Sequence, residues 1–247
     1  MLLVLPPSET KRDGGTEDAL DLGLLSFPEL TPQRRAAVSA LRTLSRNLRI
    51  ATGALSLGPT QRFELTRNRE LLTSPTLPAI ERYTGVLYDG LDAATLTSAQ
   101  RTFAARHVAI GSALFGLLRV DDPIPAYRLS HDSRLPGLSL GRHWRGAVSA
   151  ALDEEAGLIV DLRSEAYASL GRAPVREGSL YLRVFSELPD GRRNALSHFN
   201  KKAKGEFTRA VLESGLDHLT VQSLLEWAAA NGIRLEHGTE GELDLVV

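Results

Sequence analysis

The stretch Leu2-Leu3-Val4-Leu5-Pro6-Pro7-Ser8-Glu9-Thr10-Lys11 carries an unbroken apolar run, a double proline and a dense polar cluster, in that order. A short apolar run without alternation fits a strand covered on both faces, the kind that fills the middle of an α/β sheet. Proline offers no N–H to a ladder, so Pro6-Pro7 ends the strand. Val108 to Leu114, Leu158 to Leu162, Leu180 to Phe185 and Leu243 to Val247 repeat the apolar pattern. Between these runs the spacing turns helical at Pro32 to Leu48, Gln61 to Leu72, Arg142 to Glu155, Lys201 to Leu212 and Val221 to Asn231. Thr220 serves the last of these as N-cap and Gly232 as C-cap. No repeat and no clean linker interrupts the chain. The expectation is a single compact α/β domain over residues 1–247, with a mixed sheet covered by helices.

The chain has 247 residues, 43% of them hydrophobic and 24% charged, so it can bury a sizeable core. It has no cysteine, which excludes disulfides, thiolate nucleophiles and Cys-based zinc sites. It also excludes peroxide sensing through a thiol of its own. His107, His131, His143, His198, His218 and His237 are scattered singly, so neither a metal site nor direct iron binding is expected, and no cofactor is implied. The N-terminal apolar run is too short for a signal peptide, and nothing approaches the roughly 20 apolar residues of a membrane span. A soluble, cytoplasmic protein with no membrane partner is the expectation. The net charge of -1 argues mildly against nucleic acid, which makes the distribution of charge matter more than its sum.

Polar clusters follow three of the apolar runs. Ser8-Glu9-Thr10-Lys11 follows the first, Gly111-Ser112 lies within the second, and Asp161, Arg163, Ser164, Glu165 and Tyr167 close the third. In open α/β sheets ligands bind beyond the carboxyl ends of the strands, so parallel neighbours would gather these groups at one site. The alternative is that they cap helices and close turns, a role open to Ser8 and Ser164. In Ile124-Pro125-Ala126-Tyr127-Arg128-Leu129-Ser130, Arg128 offers a planar fork to phosphate and Tyr127 a face for a base, unless both simply pack.

From Arg192 to Arg209 the chain carries Arg192, Arg193, His198, Lys201, Lys202, Lys204 and Arg209 against Glu206 alone. On a helix Lys201, Lys204 and Thr208 share a face, with Gly205 allowing close approach, and that face would hold phosphate or be a solvated basic surface. The acidic stretch Glu236 to Asp244 offsets this charge in the total without needing to lie beside it. Leu87-Tyr88-Asp89-Gly90-Leu91-Asp92, between helical stretches at Ala79 to Gly85 and Thr97 to Arg106, is a weak helix-hairpin-helix pattern. There Gly90 would supply amides to a DNA phosphate.

These motifs resemble a known family. Leu5-Pro6-Pro7-Ser8-Glu9-Thr10-Lys11, Tyr83-Thr84-Gly85-Val86-Leu87-Tyr88-Asp89-Gly90-Leu91, Ser112-Ala113-Leu114-Phe115-Gly116-Leu117-Leu118-Arg119, Pro125-Ala126-Tyr127-Arg128-Leu129, Asp161-Leu162-Arg163-Ser164-Glu165-Ala166-Tyr167 and Ser197-His198-Phe199-Asn200-Lys201-Lys202-Ala203-Lys204-Gly205 are similar, in order, to those of the bacterial YaaA peroxide-stress proteins. The resemblance implies a role in hydrogen peroxide stress linked to limiting iron, and binding of double-stranded DNA. It also implies an α/β fold of unusual topology with a helix-hairpin-helix beside a positively charged cleft. The chain departs from the better-known branch in its Pro-Ser-Glu-Thr-Lys turn and its lower positive charge.

Two functions follow as expectations. In the first, Lys201, Lys202, Lys204, Arg209, Arg128 and the Gly90 hairpin bind double-stranded DNA without sequence specificity. In the second, Ser8, Lys11, Tyr127, Asp161, Ser164 and Tyr167 line a nucleotide or nucleobase pocket. There Asp161 would act as general acid/base, Lys11 and Arg128 would hold a phosphate, and Ser164 would assist.

Overall fold

A computed structural model describes residues 1–15, 18–187, 192–195 and 199–247. In chain order its elements begin with β1 (Leu2–Leu5), α1 (Thr31–Leu44), α2 (Leu48–Ala54) and α3 (Glu64–Arg69). Then come β2 (Leu77–Pro78), α4 (Ala79–Arg82), α5 (Val86–Leu91), α6 (Ser98–His107), β3 (Val108–Ser112), β4 (Gly116–Arg119) and β5 (Pro123–Ile124). The rest are α7 (Leu140–Asp153), β6 (Ile159–Asp161), α8 (Glu165–Ala168), β7 (Ser179–Glu187), β8 (Arg193–Ala195), α9 (Phe199–Ser214), α10 (Val221–Ala230), β9 (Arg234–His237) and β10 (Glu242–Val246).

Among the described residues the main sheet has eight strands, in the order β4-β3-β1-β6-β7-β10-β9 with β8 beside β7. Its centre, β3-β1-β6-β7-β10, is parallel throughout, while β4, β8 and β9 add antiparallel pairs. The five apolar runs of the sequence are these five parallel strands. β1 is buried at every residue, because helices such as α6 pack across the sheet. One hydrophobic cluster runs from Met1 to Leu245. The fold is a single compact α/β domain with a mixed sheet. Among the described residues no helix is long and apolar enough to cross a membrane.

Two buried arginines fasten loops to this frame through backbone carbonyls. Arg34 donates to Phe115 O, Leu117 O and Ser26 O at 2.6–3.0 Å. Arg82 donates to Ile124 O at 3.0 Å, to Gly14 O and Pro75 O, and to Arg12 O. Carbonyls satisfy the guanidinium donors without a carboxylate, so a buried charge here acts as a multi-point tie.

The structure corrects two local expectations. The second apolar run ends as a strand at Ser112, and the chain turns back through Gly116, whose φ of +74° suits glycine, into antiparallel β4. The stretch from Leu87 to Leu91 belongs to helix α5 (Val86–Leu91) and is not a hairpin, with Asp92 as its C-cap in the left-handed region. Gly90 there faces α9: an added Cβ would stand 2.9 Å from Lys202 O. The reversal between short helices falls instead at Tyr83-Thr84-Gly85, where Gly85 has φ +99°.

Candidate functional site

β1 sits between β3 and β6, so the connections leaving its carboxyl end and theirs diverge to opposite sides. Such a switch point leaves a crevice into which loops project. The register sets Leu5 against Ile110 and Val4 against Asp161, which brings the three polar clusters of the sequence to one end of the sheet.

The 8–12 segment lies along the α4–α5 turn. Lys11 bridges Tyr83, Thr84 N donates to Thr10 O at 3.2 Å, and Arg12 N donates to Arg82 O at 2.9 Å. Ser8, Thr10 and Thr84 hydroxyls link at 3.0–3.2 Å beside Gly85, whose added Cβ would stand 3.4 Å from Ser8 Oγ. Lys11 is 7% exposed. Its Nζ donates to Ser8 O at 2.9 Å and Glu9 O at 3.3 Å and lies 4.1 Å from the Tyr127 ring centroid and 5.3 Å from that of Tyr83. Burial lowers its pKa from 10.5 to about 7; Arg128 and Arg67 push the same way, and Glu64 and Glu9 oppose them.

Arg128 is the second cation of the site. Asn68 of α3 brackets its backbone, accepting from its N–H at 2.8 Å and donating to its carbonyl at 2.9 Å. The residue is 9% exposed, and its side chain pairs with Glu9 Oε2 at 2.7 Å and has a buried Nε without a hydrogen-bond partner. Behind these cations Ser112 Oγ, Tyr127 OH and Tyr83 OH form a chain at 2.8 and 2.6 Å. Burial raises both tyrosine pKa values far above the ordinary range, so the phenols stay protonated. Tyr127 therefore packs in the core, edge-on to Phe115, and has no free face for a base. Tyr167 stands edge-on to His131 at 5.1 Å and contacts Ser130, and burial raises its pKa to about 12.

Asp161 is not free for acid/base work. Arg163 Nε and Nη2 hold its two oxygens at 2.8 and 2.7 Å, and the Arg163 backbone N–H adds a third bond at 3.0 Å. Both are buried, and Arg163 lies over Gly111, where a Cβ would meet its Cδ at 2.9 Å. This ion pair locks the floor of the site. Ser164 is an N-cap, accepting from Tyr167 N at 3.4 Å. Of the expected pocket, Ser8, Lys11, Tyr127, Tyr167 and Arg128 gather at this end, whereas Asp161 and Ser164 serve the frame.

The basic run is dispersed. Lys204 is buried, donates to Leu162 O at 2.9 Å and lies 5.4 Å from the Tyr181 ring, with its pKa lowered by burial to about 8. Arg209 binds Glu213, Asp92 O and Thr95. Lys202 pairs with Glu206 at 3.1 Å, and Lys201 is exposed one turn before Lys204. Arg193 contacts Glu236 at 2.6 Å and Asp244 at 3.6 Å, so the acidic stretch does lie beside part of the run. His198 lies outside the described residues. Gly205 faces α5, not an anion: its added Cβ would stand 2.0 Å from Leu87 O. Helical spacing finds Lys201 and Lys204 on one face but cannot tell a solvent face from a buried one.

Sequence reasoning gave no site role to Thr84, Gly85 and Ser130, though they lie in quoted motifs or clusters, and it missed Asn68, which nothing local marks. Among the described residues no group of three or more His, Asp or Glu side chains is placed to hold a metal. Two concavities lie elsewhere. One, of about 440 Å³, is lined by Gly157, Arg176, Gly178, Thr220 and His237 at the amino ends of β6 and β7. The other, of about 300 Å³, is apolar and borders α1 at Ala40 and Leu44 and α2 at Ile50.

The family model for the peroxide stress protein YaaA matches residues 1–235. The chain belongs to the YaaA family. A UPF0246 protein of Corynebacterium glutamicum (strain R) is 43% identical over 96% of this chain and 95% of its own length. One from Streptomyces coelicolor is 42% identical over 87% and 84%, and one from Saccharophagus degradans is 27% identical over 90% and 86%. The six motifs that carry the YaaA likeness divide by role in the fold. Those at 5–11, 83–91 and 125–129 build the loop cluster, and those at 112–119 and 161–167 build the strands and turns beneath it. The sixth lies outside the described residues at 197–198; its described part opens α9, which packs on α5.

Proposed function

We propose that this YaaA-family protein acts in peroxide stress by holding double-stranded DNA through backbone phosphate. The anchor is the loop cluster at the carboxyl ends of β1, β3 and β6. Arg128 carries the reading: a nine-tenths buried guanidinium with an unspent Nε, set beside the buried amine of Lys11. A phosphate oxygen would satisfy that Nε and displace Glu9, an exposed carboxylate that can turn into solvent. The Ser8, Thr10 and Thr84 hydroxyls and the Tyr83–Gly85 turn offer neutral donors around it. Contacts of this kind position a duplex without reading its bases.

Few cations are involved, so the salt dependence separates this site from an extended basic groove. Two or three neutralised phosphates give a slope of log affinity against log salt of about -2 to -3, whereas the six Lys and Arg side chains between Arg192 and Arg209 would give about -5. Fluorescence anisotropy with a labelled duplex over a range of salt measures the slope. Binding that ignores salt, or that survives Arg128→Ala unchanged, overturns the proposal.

A further inference from the structure

Lys11 is surrounded by neighbours that suit a nucleophile better than a fixed cation. The carboxylates that act on it are paired elsewhere, Glu64 with Arg67 at 3.1 Å and Glu9 with Arg128 at 2.7 Å, and among the described residues Nζ meets two backbone carbonyls and two aromatic rings. A neutral amine has two N–H groups and one lone pair; the carbonyls of Ser8 and Glu9 take the two hydrogens and leave the lone pair free. Desolvation in an apolar pocket is how a lysine becomes a nucleophile toward a carbonyl carbon. Beside it stand the unspent guanidinium Nε of Arg128 and the hydroxyls of Ser8, Thr10 and Thr84, groups that suit a phosphate.

We propose that Lys11 condenses with the aldehyde of a phosphorylated, ring-opened sugar to form an imine. Two sources present that chemistry: a base-less deoxyribose within a DNA strand, and a free sugar phosphate. The amine lone pair attacks the carbonyl carbon, forming the C–N bond, and the carbonyl π pair moves to oxygen, which takes a proton from water. The nitrogen gives up a proton, and loss of water then leaves C=N. The sum is amine plus aldehyde giving imine plus water, with nothing oxidised or reduced. The inference rests on the phosphate reading of the same site and adds a covalent step to it.

Reductive trapping tests it on the full chain. The protein is incubated with borohydride and, in separate arms, a duplex carrying one base-less site, an intact duplex, and 2-deoxyribose 5-phosphate. Anisotropy of the intact duplex is measured in parallel. The expected result is a stable adduct with the base-less duplex or the sugar phosphate and none with the intact duplex, mapped by peptide mass to Lys11. Which arm traps identifies the source. Lys11→Arg lowers the trapped yield at least tenfold, and mapping on the unaltered chain keeps the test decisive should that variant fold poorly. Yield rises with pH through about 7, set first by burial of the amine and then by the balance of Glu64, Arg128, Glu9 and Arg67 around it. No adduct in either aldehyde arm, or an adduct mapped to another amine such as Lys201, overturns the inference. Duplex binding without an adduct leaves the phosphate reading standing, and loss of intact-duplex binding defeats that reading separately.

Discussion

Lys11 destabilises the fold that places it. Its folded-state pKa, about 7, lies below the 10.5 of an unfolded chain, so between those values the unfolded state holds a proton that the folded state lacks. Stability therefore rises with pH across that window, and the full penalty applies below it. At about 1.4 kcal/mol per pH unit the penalty reaches several kcal/mol, against two hydrogen bonds worth about 1 kcal/mol each. Lys11→Met is expected to be roughly 2–3 kcal/mol more stable than the unaltered chain at pH 6, with the gain gone by pH 10; urea unfolding at both pH values checks it. Phosphate binding has the opposite pH sense: protonated Lys11 adds its charge to that of Arg128, so affinity weakens, without being lost, as pH rises through about 7. Glu9 competes for Arg128, so Glu9→Gln is expected to tighten duplex binding several-fold by anisotropy. An unchanged or weaker affinity would show that Glu9 does not occupy the anion's place.

At the scale of elements, the crossing of α5 and α9 decides what the basic run can do. Gly205 sets the backbone of α9 against Leu87 O, and Gly90 admits Lys202 O from the other side. That contact turns Lys204 and Thr208 inward, which removes them from any solvent-facing row of cations. Gly205→Ala must force the helices apart; overpacking of this kind costs about 1–3 kcal/mol. A lowered thermal midpoint without loss of helical circular dichroism would confirm that the glycine serves packing. The Asp161–Arg163 pair ties β6 to β3 through Gly111, and breaking one side leaves a buried charge uncompensated. Asp161→Ala is expected to cost about 3–5 kcal/mol in denaturant unfolding. If it instead left stability intact, Asp161 would be free for another role.

The whole molecule is a parallel centre with antiparallel margins. β10 covers β7 along five registered pairs from Glu242 to Val246. Removing residues 234–247 would strip β9 and β10, open the edge of β7 and expose Leu182 and Val184. Unpaired edges of this kind associate. The truncated chain is expected in the insoluble fraction on expression, and a soluble monomer by size-exclusion chromatography would contradict that.

β1, β3 and β6 were legible in the letters because they are buried at every position and carry apolar runs, while β7 and β10, half-buried and interrupted by polar residues, showed through their inward Leu and Val positions; the end of the sheet where polar loops collect was legible as well. The added strands β4, β8 and β9 were not legible: β4 continues the apolar run of β3, and β8 and β9 carry charge along exposed margins. Family membership was readable because six motifs recur in order, which needs no coordinates. Which cations remain for a ligand depends on packing that no local stretch of sequence encodes. Arg128, Lys11, Lys204 and Arg209 are equally basic as letters. Their fates diverge because burial and a nearby carboxylate or carbonyl are properties of position in space, contributed by residues up to more than a hundred places away along the chain.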